Sequence, residues 1–316
     1  EPKLESKLRK QINSKNLRIL NEIPKINNFG IFIICVGTPL VKNQPNLNYI
    51  KDATIEVAKK FKNKSTIIYR STVPIGTTEK ILKPIIDKYN KKNKIYDLCF
   101  CPERTAQGQA LVELKKMPQI IGGLNLQSSN NAKKIFKKIT PNVIVVRNIL
   151  TAEMIKLVDN SQRDVFFAYA NEIANISNEY DISSDEVLRS ASLNYPRTKL
   201  YIPGPVGGPC LSKDSHILLS NTKKNKNHSS LILAARKINE SLHISCFNFL
   251  KNNTDLLKKN ITIGFYGIAF KGNPITDDIR GGLIHDILKI LKNYNKNINF
   301  IGYDPNVDHK FFNSLK

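Results

Sequence analysis

From Phe29 onward, short runs of β-branched and aromatic residues alternate with longer stretches whose apolar positions fall three and four apart. The first rhythm is that of strands and the second that of amphipathic helices. Strands are predicted over Ile31–Val36, Thr66–Tyr69, Leu98–Cys101, Gln119–Ile121 and Val143–Val146, with helices over Tyr49–Phe61 and Thr77–Tyr89 between the first of them. Right-handed crossovers join such βα units into one doubly wound parallel sheet. From Thr151 to about Tyr180 the helical period runs without a break, and Ser184–Leu193 and Ser229–Leu257 continue an all-helical middle segment. Beyond the polar stretch Asn221–Asn227 and the long helix, a strand (Ile261–Tyr266), a helix (Gly282–Leu291) and a strand (Ile298–Tyr303) open a second α/β domain. The expected boundaries are 1–148, 149–257 and 258–316.

Composition changes this picture little. With 316 residues and 41% apolar content the chain can bury a core, which excludes disorder as the default. Lys+Arg 49 against Asp+Glu 26 gives a net charge of +23, which suits nucleic acid, an anionic membrane surface or small anionic ligands. The lysines are scattered among Asn and Ile along the whole chain, so they read as a general bias and choose none of these. Five cysteines at irregular spacings make neither a disulfide framework nor a paired zinc site, which points to a reducing compartment. The charged opening Glu1-Pro2-Lys3-Leu4-Glu5 is no signal peptide, and Ile31–Val36 is far below the roughly 18 residues of a spanning helix. A cytoplasmic enzyme or binding protein is the starting class.

In an open parallel sheet, ligands bind beyond the carboxyl ends of the strands. Three successive strands end there in distinctive turns: Gly37-Thr38-Pro39, Ser71-Thr72-Val73-Pro74 with Gly76, and Pro102-Glu103-Arg104. Their hydroxyls and carboxylate suit ribose and substrate hydroxyls, although the same residue types form ordinary turns. On the middle helix Lys156, Asn160 and Arg163, spaced four and three apart, share a face that could bind an anion or a developing oxyanion, or simply be solvated. Cys210 follows the paired glycines Gly207 and Gly208 and precedes what looks like a helix start, where a thiol near Lys213 becomes a nucleophile. Asp214 would share its face in the first turn. The other cysteines fit small buried hydrophobes: Cys35 mid-strand, Cys99 and Cys101 alternating on a strand, Cys246 within a helix. No histidines pair at metal-ligand spacing, and no G-x-S-x-G or G-x-G-x-x-G occurs.

Taken in order, Cys35-Val-Gly-Thr-Pro39, Ser71-Thr-Val-Pro74, Pro102-Glu-Arg104, Glu153-Met-Ile-Lys-Leu-Val-Asp-Asn160, Val206-Gly-Gly-Pro-Cys-Leu-Ser-Lys-Asp214 and Ala269-Phe-Lys271 with Thr276-Asp-Asp-Ile-Arg280 resemble the UDP-glucose/GDP-mannose dehydrogenase family. Each motif alone is weak, and the ordered set is specific. Arg163-Asp-Val and Phe270-Lys-Gly-Asn-Pro-Ile-Thr-Asp-Asp278 are most similar to the UDP-N-acetylmannosamine dehydrogenase branch. The resemblance implies an incomplete Rossmann-like NAD domain, an all-helical central domain that makes a homodimer, and the start of a second Rossmann-like domain. It also implies oxidation of a UDP-sugar C6 alcohol to the uronate with two NAD+, for polysaccharide biosynthesis, through a thiohemiacetal and a thioester on Cys210. Lys156 and Asn160 match the oxyanion-stabilising residues, Asp214 a water-orienting carboxylate and Glu103 a general acid/base. Gly37, Thr38, Ser71, Thr72, Lys213 and Arg280 fall where the family contacts NAD. Arg104, Arg163, Tyr201, Gly207 and Lys271 fall where it contacts the sugar nucleotide.

The sequence also departs from the family pattern. The family opens with a strand, a glycine-rich turn and a helix, and holds the pyrophosphate on that helix N-terminus. This βαβ unit of at least roughly 30 residues is absent here, and the family's second α/β domain runs well past Lys316. Gln107 stands where many members have Glu, and Ser215-His216 follows the Lys-Asp pair. The alternative expectation is therefore an inactive fragment or remnant without the NAD loop. A nucleic-acid-binding protein and a thiol-independent hydroxyacid dehydrogenase are the more distant rivals.

Overall fold

The computed structural model describes residues 4–24, 30–62, 64–92, 95–222, 230–258, 260–308 and 310. The opening Glu1-Pro2-Lys3 and most of the polar stretch 221–227 lie outside the described residues. Two compact units form, residues 1–158 with 216–222 and residues 159–215 with 223–316.

The first unit begins with α1 (Leu4–Asn13), a helix with no buried residue. Next come β1 (Ile31–Ile34), the two-residue hairpin strands β2 (Leu40–Val41) and β3 (Gln44–Pro45), α2 (Asn48–Lys60) and β4 (Ser65–Tyr69). A π-helical turn (Thr78–Leu82) leads into α3 (Lys83–Tyr89), followed by β5 (Tyr96–Phe100), α4 (Ala110–Lys116), β6 (Gln119–Gly123), α5 (Leu126–Phe136) and β7 (Val143–Val145). The sheet order is β1-β4-β5-β6-β7. Strands β1, β4 and β5 are parallel, as the βα alternation predicts, but β6 runs antiparallel to β5 before pairing in parallel with β7. The cause lies in the 101–118 connection. It contains only the seven-residue α4, with no buried side chain, in place of a crossover helix.

Strand alternation sorts the core onto two faces. Ile67 and Tyr69 of β4 pack with Ile50, Val57, Leu82 and Ile86 of the α2/α3 layer. Ile68 points the other way, with Cys99, Cys101 and Ile121 and the α5 side chains Ala132 and Phe136. Helix α5 has few apolar positions in its sequence; its start is fixed by the Asn125 side chain, which accepts from Ser128 N at 2.8 Å. The turn after β4 is pinned from α6 (Ile149–Glu179). The buried Glu153 carboxylate accepts from Gly76 N at 2.6 Å and Thr78 N at 2.9 Å. A carboxylate on those free amides both satisfies donors and complements the helix dipole.

In the second unit, the rest of α6 joins α7 (Ser184–Ser192), α8 (Leu211–Ser220) and α9 (Ser230–Asn253). Then β8 (Thr262–Tyr266), α10 (Leu283–Tyr294) and β9 (Asn299–Tyr303) make one parallel βαβ unit. Ile284, Ile287, Leu288 and Leu291 of α10 bury one face of that pair against Ile298 and Phe300. Among the described residues no helix is long and apolar enough to cross a membrane.

Candidate functional site

In the second unit the sequence-predicted residues converge on the turn 204–210. Gly208 has φ +89°, and a Cβ there would lie 2.5 Å from the Phe270 ring. A Cβ on Gly207 would lie 2.4 Å from the Gly281 carbonyl oxygen. Only glycines let this turn sit down on the 270–281 loop, where Gly208 N donates to Arg280 O at 3.1 Å. Asp304 fixes the loop from below, accepting from Ile268 N and Ala269 N, and those amide bonds hold its carboxyl below the usual range despite opposing burial.

Cys210 ends the turn, exposed, immediately before α8. The other thiols differ. Cys99 and Cys101 are buried, and burial pushes Cys99 up to about 12 and Cys101 well above its ordinary value. Cys246 is half-buried. The expectation of a packed, mid-strand Cys35 is corrected: β1 stops at Ile34, and Cys35 is exposed.

Asp214 is fully buried in the first turn of α8, its backbone N–H bonded to Cys210 O at 2.9 Å. Its Oδ2 accepts from Asn160 Nδ2 on α6 at 2.6 Å. Arg163 does not continue this face, being exposed; the residue one turn beyond Asn160 that turns inward is Asp164. Asp164 accepts from Ser215 Oγ at 2.8 Å, from Asn239 Nδ2 at 2.7 Å and from Arg236 at 2.7 Å. Burial nonetheless leaves its carboxyl above the usual value. Sequence reasoning missed Asp164, Arg236 and Asn239. The one available signal was Arg236 and Asn239 three apart, hence on one face of the helical run.

Arg280 is bound to Asp278 at 2.6 Å, which raises its pKa further, with a smaller contribution from Cys210. The Lys271 ammonium stands 5.4 Å from the Phe270 ring centroid. Tyr201 packs edge-on against Phe167, centroids 4.8 Å apart. Lys213 is half-buried on α8.

In the first unit, Gly37, Thr38, Ser71, Thr72, Glu103 and Arg104 follow β1, β4 and β5 at the carboxyl edge of the sheet. Thr38 and Ser71 are buried, and Ser71 Oγ has no hydrogen-bond partner among the described residues. Nothing would lie within 4 Å of a Cβ on Gly37. An orphaned buried hydroxyl beside open backbone fits the ribose of a dinucleotide. The sequence holds no G-x-G-x-x-G for its pyrophosphate. Glu103 is ion-paired with Arg70 and accepts from Arg104 N and Thr105 N at 2.8 Å each. Burial opposes its ionisation, but Arg70 and the Thr105 hydrogen bonds outweigh it and hold the carboxyl below its ordinary 4.5. Arg70, itself stacked 5.2 Å from the Phe136 ring centroid, is a partner the sequence did not reveal. Lys156 lies half-buried on α6, one turn before Asn160.

Residues 1–140 match the UDP-glucose/GDP-mannose dehydrogenase family, NAD binding domain, and residues 150–241 match the central domain of the same family. The chain is 32% identical to the UDP-N-acetyl-D-mannosamine dehydrogenase of Pyrococcus horikoshii, over 97% of this chain and 73% of that protein. The solved UDP-D-ManNAc dehydrogenase structure from that organism superposes with TM-score 0.88, covering 98% of this chain and 73% of the other at 32% identity. The UDP-N-acetyl-mannosamine dehydrogenase of Staphylococcus aureus gives 0.83, covering 98% and 72% at 29% identity.

Proposed function

The chain belongs to the UDP-glucose/GDP-mannose dehydrogenase family of NAD-dependent nucleotide-sugar dehydrogenases, and from that premise we propose that it oxidises the C6 alcohol of a UDP-sugar to the uronate, for polysaccharide synthesis. The substrate is of the UDP-N-acetylmannosamine or UDP-glucose type. The observation that carries this reading is the exposed Cys210, placed between a glycine turn seated on the 270–281 loop and the buried Asn160–Asp214 pair.

Loss of two hydrogens at C6 gives an aldehyde. Cys210 Sγ adds to its carbonyl carbon while the thiol proton passes to the carbonyl oxygen, forming a thiohemiacetal. A second two-electron oxidation gives the thioester, and water cleaves its C–S bond, releasing the carboxylate and restoring the thiol. NAD+, when bound, supplies the hydride acceptor, two equivalents per sugar. Gly37, Thr38, Ser71, Thr72, Lys213 and Arg280 would hold it. Lys156 and Asn160 stabilise the oxyanions, as donors aimed at developing charge do. Asp214, locked by Asn160, orients the hydrolytic water. Glu103, ion-paired with Arg70, serves as the general acid/base. Arg104, Arg163, Tyr201, Gly207 and Lys271 grip the sugar nucleotide. Phe166, Tyr169 and Ile176, exposed on α6, support a homodimer, the commonest symmetric assembly.

The test is NADH absorbance with a panel of UDP-sugars. Two NADH per sugar are expected, and Cys210→Ala should stop at the aldehyde. Absence of NADH with every UDP-sugar, or full acid yield from Cys210→Ala, refutes the reading.

A further inference from the structure

The geometry points to Asp164 and Arg236 as positioning residues for the Cys210 turn, an inference that rests on the thiol chemistry proposed above. Asp164 is fully buried and the Arg236 side chain is 3% exposed. One guanidinium nitrogen, Nη1, donates both to Asp164 Oδ1 at 2.7 Å and to the carbonyl of Leu211 at 3.0 Å, the residue directly after Cys210. The other Asp164 oxygen takes the Ser215 hydroxyl, one turn further along α8. The first turn of α8 is thus gripped at its start and its end by a charged pair drawn from α6 and α9. Asn160 grips Asp214 between them.

A buried ion pair is a poor device for stability alone. Desolvation consumes much of the Coulombic gain, and apolar side chains of similar volume often serve as well. What apolar side chains cannot do is hold a carbonyl and a hydroxyl in fixed directions. The pair therefore sets the orientation of the first-turn amides that follow Cys210, and those amides are what make a thiol at a helix N-terminus a good nucleophile.

The test uses the full chain without cofactor. Arg236→Met, Asp164→Asn and the double variant Asp164→Leu/Arg236→Met are compared by urea unfolding. They are also compared by the rate of Cys210 alkylation with iodoacetamide, mapped by peptide, with Cys35 as internal reference. The single variants should lose stability. The double variant, which leaves no unpaired charge but still orphans the Ser215, Asn239 and Leu211 groups, should recover part of it yet alkylate Cys210 about tenfold more slowly than the parent, with Cys35 unchanged. Recovery of stability together with the parent rate at Cys210 makes the pair merely structural and overturns the inference. Should these variants not fold, Ser215→Ala keeps both charges and removes one bond; a Cys210 rate about twofold or more slower is expected, and an unchanged rate overturns the inference. Failure of the thiol chemistry is read separately: acid production by Cys210→Ala removes the premise, whatever the alkylation rates.

Discussion

Gly208→Ala tests the seating of the catalytic turn directly. At φ +89° an alanine carries backbone strain of about 1–3 kcal/mol. Its Cβ would also fall 2.5, 2.7 and 2.9 Å from three atoms of the Phe270 ring. Ordinary contact begins near 3.4 Å, so ring or turn must give by close to 1 Å, and such overpacking costs about 1–3 kcal/mol more. The alternative is for the turn to lift off, at the loss of the Gly208 N–H to Arg280 O bond, about 0.5–1.5 kcal/mol. The second route is cheaper, so it wins. The variant should stay folded, destabilised by about 1.5–4.5 kcal/mol in urea unfolding from the φ strain and the lost bond together, while the displaced Cys210 makes little acid from the aldehyde. In a double-mutant cycle, Phe270→Ala should return the steric part and leave the φ strain. Parent stability and acid yield in Gly208→Ala, or no coupling to Phe270, would refute the reasoning.

Two further outcomes follow from the first unit. Glu153→Gln keeps one acceptor for the amides of Gly76 and Thr78 and turns an N–H toward the other; a loss of about 1–3 kcal/mol is expected in urea unfolding, and an unchanged midpoint removes the capping role. Glu103 is held below 4.5 in the folded chain, so its contribution to stability is complete above that value and is lost as pH falls through the lower folded value. Its carboxyl, followed by NMR, should titrate below 4.5 in the parent and move upward in Arg70→Met, while titration above 4.5 in the parent contradicts the ion-pair argument.

How far the sequence carried depended on whether a feature lay in the periodicity of single elements or in partnerships between them. Strands such as β4 and β5 were legible because β-branched and aromatic runs bounded by turn residues have few other uses. The direction of β6 was not, since alternation reports faces and says nothing of strand polarity. Helix α5 reads Leu-Gln-Ser-Ser-Asn-Asn-Ala, too polar for a helical period, and forms because Asn125 caps it and Ala132 and Phe136 meet the sheet. On α6, residues three and four beyond Asn160 both satisfy the spacing rule. Arg163 looked the better anion binder, but these two positions are about 100° apart around the axis, and tertiary packing turned Asp164 inward. The role of Arg236 was not legible, because Glu240 is its local partner while Asp164 and Leu211, which it joins, are far away in sequence.

The same division explains why Cys210 stood out among five thiols. Cys99 and Cys101 obey the strand alternation, so the core takes them and burial raises their pKa, which leaves them poor nucleophiles at neutral pH. Cys210 lies where no periodicity holds, between two glycines and a helix start, and its surroundings consist of close approaches and polar contacts. A nucleophile has to be exposed to reach a substrate, and exposure deprives it of the packing that fixes a core side chain. Its position must therefore be set by neighbours that are themselves buried. Gly207 and Gly208 do this upstream by backbone contact, and Asn160 and Asp164 downstream through Asp214 and Ser215. Residues that hold an exposed thiol without touching its substrate thereby set how fast it reacts, while the sulfur decides whether it reacts at all.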